Sequence, residues 1–177
     1  KTIRKHRIFE NDEYECIRNE RDILILSRQC SFIYQIHAVF HDLERVYFLL
    51  EYAPCGCFYR FLYRVGKGFN EECIQWFSGQ ILCALRFLHS KLIVTRKNLF
   101  EMKVNLSLFV IDSSDLKPEN VLIFENGRVK LADLGFCKQF SSNDETTRTF
   151  CGTTEYIAPE IYQRVRYNFS VDYWSLG

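Results

Sequence analysis

The chain has 177 residues, 47% hydrophobic and 16% aromatic, which is enough to bury one sizeable core and too apolar for a disordered polypeptide. Its 23 basic and 22 acidic residues leave a formal net charge of +1, so no global field favours nucleic acid or an anionic membrane, and specificity must reside in a local site. No apolar run is long enough to span a bilayer, and the basic start KTIRKHR is not followed by the apolar stretch of a signal peptide. A soluble, intracellular protein is expected, cytoplasmic and with nuclear access open. The eight cysteines lack paired CxxC spacing and matching histidines, and read mostly as thiols. Cys55 and Cys57 are the one close pair, without a second pair at zinc-like spacing. The four histidines form no ligand or base constellation and read as structural or exposed.

In chain order, Asn11 to Leu26 places acidic residues early and apolar ones at Ile17, Ile23, Leu24 and Leu26, which predicts an amphipathic helix. Ser31 to Phe40 and Val46 to Tyr52 are rich in aromatic and branched residues and flank a polar turn, so they read as paired strands. Pro54, Cys55 and Gly56 break that pattern and place a boundary between a small β-rich lobe and a helical one. From Asn70 to Ser90 the apolar residues Ile74, Phe77, Ile81, Leu82, Leu85 and Leu88 recur at helical spacing behind Glu71 and Glu72, predicting a long core helix. Val121 to Phe124 and Arg128 to Ala132 are short apolar segments joined through Asn126-Gly127, a hairpin signal because both residues tolerate positive φ. Such a hairpin brings Asn120 and Asp133 side by side. There are no internal repeats.

The chemistry is concentrated in three runs: Asp115-Leu116-Lys117-Pro118-Glu119-Asn120, then Asp133-Leu134-Gly135, then Ala158-Pro159-Glu160. Moving a phosphoryl group from ATP to a hydroxyl needs a carboxylate beside the attacking oxygen, oxygen ligands for Mg2+ and a cation for the developing charge. Asp115 suits the first role, Asn120 and Asp133 the second, and Lys117 the third.

In order and separation these runs resemble the protein kinase family, and four further stretches narrow the resemblance to its AGC group, the relatives of protein kinases A, G and C. These are Tyr14 to Leu24 (YECIRNERDIL), Val46 to Ala53 (VYFLLEYA), Arg148 to Glu160 (RTFCGTTEYIAPE) and Val171 to Gly177 (VDYWSLG). The resemblance implies an α+β, bilobal kinase fold, partial in this chain, with residues 1–53 forming the small lobe and hinge and 54–177 the large lobe. It implies a serine/threonine kinase acting in signalling with ATP and Mg2+ as cofactors. Asp115 and Lys117 are then catalytic, and Asn120 and Asp133 bind metal. Lys1 resembles the strand lysine that grips phosphates, and Glu20 its helix partner. Leu50 resembles the back of the adenine pocket, the backbones of Glu51 and Ala53 its contacting edge, and Leu122 the residue under the base. Thr149 stands at the activation-loop phosphorylation site, served by an upstream activating kinase, with Lys138 matching one cation that would receive the phosphate. Glu119 and Thr153 fall at substrate-binding positions. Glu119 matches a carboxylate that reads a basic residue upstream of the target Ser or Thr, although the companion acidic position is Cys57.

The sequence also departs from the family pattern. The glycine-rich clamp precedes the lysine in the family, whereas this chain starts at Lys1 and stops at Gly177, within the central helix of the large lobe. Leucine replaces the middle phenylalanine of the metal motif at Leu134, which is expected to alter packing before metal binding. An insertion, Lys97 to Ser114, separates Arg96 from Asp115. If it loops out, Arg96 sits beside Asp115; otherwise Ser113 and Ser114 take the usual aromatic-or-His and Arg places. Its apolar stretch Leu106 to Ile111 reads as an aggregation-prone surface segment, as a replacement for the short strand before the catalytic loop, or, with the rest of the insertion, as translated intron. The alternative function is a pseudokinase-like binding or scaffold module without phosphoryl transfer.

Overall fold

The computed structural model describes residues 1–66, 69–95, 120–135, 137–148 and 158–176. Its first part is a three-stranded antiparallel sheet of β1 (Thr2–Arg4), β2 (Ile36–His41) and β3 (Arg45–Leu50), with β3 central. Alternation along β3 does what period-two patterning requires: Phe48 is buried while its neighbour Leu49 is exposed. The β2–β3 turn is set by Asp42, whose carboxylate accepts from the backbone N–H groups of Glu44 and Arg45 and from the Tyr47 hydroxyl, each at 2.7 Å. β2 begins at Ile36 rather than Ser31. Residues 32 to 34 spend their backbone groups elsewhere: Leu131 N donates to Phe32 O and Tyr34 N donates to Leu131 O, both at 2.9 Å.

Two helices follow β1. The first, α1 (Lys5–Glu10), buries only Ile8 and has no apolar repeat by which a sequence reading would find it. The second, α2 (Tyr14–Leu26), starts three residues later than the periodicity suggests because Asp12 takes a positive φ of 52°, which ends regular helical backbone there. Glu20, Ile23 and Leu24 are its buried residues.

Beyond the hinge, α3 (Phe58–Val65) is a helix the sequence reading did not anticipate; Gly66 closes it in the left-handed conformation at φ 62°. Next comes α4 (Glu71–Ser90), capped by Asn70, whose side chain accepts from Cys73 N at 2.9 Å. Phe77, Ile81, Leu85 and Leu88 face the core as expected, but Leu82 is exposed because it lies roughly 100° around the helix from the centre of that stripe. Phe58, Phe61, Phe69 and Phe77 pack as an aromatic cluster, tightest between Phe58 and Phe77 with ring centroids 4.9 Å apart.

A hairpin of β5 (Val121–Ile123) and β6 (Val129–Leu131) packs on α4. Asn126 and Gly127 both carry positive φ in its turn, 61° and 69°. β4 (Ile93–Val94) pairs with β7 (Lys138–Gln139), so the short strand that Leu106 to Ile111 was a candidate to replace is formed by the chain's own Ile93 and Val94. Leu106 to Ile111 itself lies outside the described residues. The short helices α5 (Pro159–Tyr162) and α6 (Ser170–Trp174) complete the helical part, with Ala158, Ile161, Tyr167 and Val171 packed around Val94 and Phe140. The architecture is α+β and bilobal, a partial kinase-type fold.

Candidate active site

Lys1 is held in the sheet by Phe48, whose N–H donates to the Lys1 carbonyl at 2.8 Å. That fixes the start of a side chain whose Nζ lies 2.7 and 2.6 Å from the two Glu20 carboxylate oxygens and 3.9 Å from Asp133 Oδ1. Glu20 is only 4% exposed, a burial that a carboxylate tolerates when a cation is held against it. Residues from just before β1, from α2 and from the loop after β6 therefore meet at one ammonium group, although Lys1 and Asp133 are 132 positions apart in the chain.

Asp133 sits at φ 56°, a left-handed conformation uncommon outside glycine, and the two residues after it pack inward. Leu134 is buried in the main core, so leucine does fill an apolar slot there. Gly135 lies against α2: a Cβ at that position would be 3.5 Å from Cys16 O and 3.7 Å from Glu20 Oε2. Gly135 and Glu20 are thus close neighbours, with little room for a side chain between them.

Asn120 is buried at the root of β5, and its carbonyl accepts from Ala132 N at 2.8 Å, which sets Asn120 beside the residue preceding Asp133. An amide and a carboxylate supply hard oxygen donors of the kind Mg2+ accepts alongside nucleotide phosphates, so these side chains fit that ion. Among the described residues no group of three or more His, Cys, Asp or Glu could hold a metal ion. The hairpin is gripped from α4: Trp76 Nε1 and Gln80 Nε2 donate to Gly127 O at 3.0 and 3.2 Å, and Gln80 Oε1 accepts from Val129 N at 3.0 Å.

Leu50 ends β3 half-buried, paired with Ile36. At Glu51 every polar group is engaged. Its N–H donates to Gln35 O at 3.0 Å, its carboxylate accepts from Gln35 N at 2.7 Å and from Lys130 Nζ at 2.8 and 2.6 Å, and its carbonyl accepts from the Tyr34 hydroxyl. Ala53 O accepts from Gly56 N at 3.2 Å. The hinge then touches the hairpin, with Ile123 N donating to Gly56 O at 2.8 Å and Cys57 bridging the half-buried Leu122. Burial, and next to it the Glu51 charge, push the Tyr34 phenol above the ordinary tyrosine range.

Asp172, fully buried, accepts from Thr95 N at 3.0 Å and Thr95 Oγ1 at 2.6 Å, and lies 2.7 Å from His89 Nε2. The residue directly before Arg96 is therefore braced, and His89 has a structural role. Lys138 pairs with Glu145 at 3.6 Å and lies 3.5 Å from Thr147, which pairs with Tyr167. Asp115, Lys117, Glu119, Thr149 and Thr153 lie outside the described residues, as do Arg96 and the insertion. Sequence reasoning missed Tyr34, Gln35, Lys130 and Gln80. Only Lys130 left a signal, as a charge inside the apolar run VKLA.

The sequence matches the family described as protein kinase domain over residues 1–100 and 107–177. The chain belongs to the protein kinase family. Over all 177 residues it is 36% identical to human protein kinase C eta type, and 35% identical to two Caenorhabditis elegans proteins, protein kinase C-like 1B and the serine/threonine-protein kinase sgk-1. These are AGC kinases, the group to which the motifs pointed. The chain spans 23%, 22% and 34% of those relatives' own lengths, respectively. Among the described residues, no helix of this kinase chain is long and apolar enough to cross a membrane.

Proposed function

We propose that the protein to which this chain belongs transfers the γ-phosphoryl group of Mg-ATP to Ser or Thr hydroxyls of proteins in intracellular signalling. The observation that carries this reading is the convergence of Lys1, Glu20 and Asp133. An ammonium oriented by a buried glutamate and set beside a carboxylate suits a site where phosphate oxygens and a divalent cation share charge. Asn120 and Asp133 would hold Mg2+, which when bound neutralises the phosphates. Lys1 would orient the α and β phosphates, and Leu122 with the hinge backbone at Glu51 and Ala53 would receive the base in front of Leu50. Asp115 accepts the hydroxyl proton and Lys117 steadies the transferred group in this assignment.

Regulation and substrate choice extend the same reading. Thr149 is the phosphorylation site for an upstream kinase, with Lys138 as a receiving cation, and Glu119 with Thr153 contacts a substrate carrying a basic residue upstream of its target. The lobe division falls at the hinge, near residue 53. The test is phosphoryl transfer from labelled ATP by the full-length protein. Lys1→Met and Asp115→Asn should each lower the rate by at least about 100-fold, since positioning and proton acceptance are each worth that much. Equal rates in parent and variants would sink the assignment.

A scaffold without transfer is the second reading, favoured by the break in the family match between residues 100 and 107, inside the 97–114 insertion. Mg-ATP binding without transfer, with transfer gained on deleting 97–114, would support it.

A further inference from the structure

The adenine edge assigned above contains a donor of its own. Glu51 carbonyl oxygen accepts from the Tyr34 hydroxyl, and Tyr34 is fixed on several sides. Its backbone N–H is tied to Leu131 O at 2.9 Å, and its ring lies 6.4 Å from that of Phe124, centroid to centroid. The next residue, Gln35, clamps both the N–H and the carboxylate of Glu51. Gln35 is itself anchored, its side-chain amide donating to Cys30 O at 2.9 Å and Ile33 O at 2.7 Å. The phenol is thus not a mobile surface group that drifts onto a carbonyl.

A bare carbonyl at this edge reads one thing, a hydrogen-bond donor on the base. It welcomes the 6-amino group of adenine and opposes the 6-oxo group of hypoxanthine, because two acceptors then face each other across a partly buried gap. A tyrosine hydroxyl on that carbonyl changes the code. The hydroxyl carries one donor and two acceptor lone pairs, and its hydrogen rotates to suit its neighbours. Against a 6-amino purine, the base must share the carbonyl with an internal donor or settle for the phenol oxygen. Against a 6-oxo purine, the hydroxyl can turn and donate.

Resting on the nucleotide-site reading above, we propose that Tyr34 is a specificity-determining residue that makes the adenine edge ambivalent, so that the site takes 6-amino and 6-oxo purine nucleoside triphosphates with similar affinity. The half-buried setting of the phenol strengthens the effect, since a polar group displaced there lacks the full compensation of bulk water. A tyrosine hydroxyl is protonated, and therefore a donor, at neutral pH, and burial moves its ionisation further from that range.

The test is isothermal titration of the full-length protein with Mg-ATP and with Mg-inosine triphosphate, for the parent and for Tyr34→Phe. The phenylalanine keeps the ring beside Phe124 and removes only the hydroxyl; Tyr34→Leu serves as a second variant if the melting temperature of the first drops. In the parent the two dissociation constants should agree within about fivefold, the factor that one hydrogen bond of ordinary net strength carries. In the variant, ATP should bind about fivefold tighter and inosine triphosphate about fivefold weaker, widening the ratio by roughly 25-fold by the same bond arithmetic. Binding of both nucleotides with the same ratio in parent and variant overturns the proposal and leaves the kinase reading standing. Failure of every protein to bind either nucleotide overturns the proposal together with the nucleotide site on which it rests.

Discussion

Asp42 shows how much a single exposed residue can organise. Its carboxylate takes the Tyr47 hydroxyl and two backbone N–H groups, and these contacts, the Tyr47 bond foremost, hold its carboxyl below the usual carboxylate range. Because the folded-state carboxyl is the stronger acid, its contribution to stability is complete above the unfolded aspartate value of about 3.9 and is lost as pH falls through the lower folded value. Acid titration of the folded protein followed by circular dichroism should therefore show parent and Asp42→Asn converging in stability as pH drops below 4, with the parent ahead near neutrality. A constant gap across that range would assign the turn to backbone geometry alone. The turn was legible as polar residues between two strands, but the three donors on one carboxylate were not, because Tyr47 meets Asp42 only once the strands are paired in register.

At the scale of elements, α4 is the clearest case of sequence and structure agreeing. Asn70 is followed by an acidic turn and a helical apolar repeat, and the helix begins where that cap satisfies the first amide groups. Asn70→Ala should lower unfolding free energy by about 1 kcal/mol in urea denaturation, while Asn70→Asp should restore most of it. No difference between Ala and Asp would mean that tertiary packing alone sets the helix start. The two helices absent from the sequence reading differ in kind. α1 has no apolar repeat and buries only Ile8, so its helicity comes from docking; α3 does carry one, with Phe58 buried and Phe61 and Leu62 packed beside it at i, i+3 and i+4, in a run too short to stand out. The grip of Gln80 and Trp76 on Gly127 was equally hidden, since a polar residue on the core side of a helix declares no partner in sequence.

For the whole molecule, Asp172 ties α6 to His89 at the end of α4 and to Thr95, 83 and 77 positions away. Removing a fully buried carboxylate leaves the Thr95 amide and hydroxyl and the His89 ring without that acceptor, so Asp172→Ala should cost about 3 kcal/mol in chemical denaturation. It should also lower the proposed phosphoryl transfer more than stability alone explains, because Thr95 directly precedes Arg96, which sits beside Asp115 if the insertion loops out. Unchanged stability would show the tie to be incidental.

By itself the sequence determined the family, the order of the chemical motifs and the long helix, the hinge and the hairpin. These are written in local spacing, turn residues and apolar period, all of which act between neighbours along the chain. Only the tertiary structure decided that Asp133 joins the Lys1–Glu20 pair at one ammonium, that Thr95 is braced by Asp172, and that Tyr34 holds the Glu51 carbonyl. Those bonds join residues from separate elements. Whether their atoms come into contact depends on how a strand, a helix and a loop pack together, and no local periodicity carries that distance.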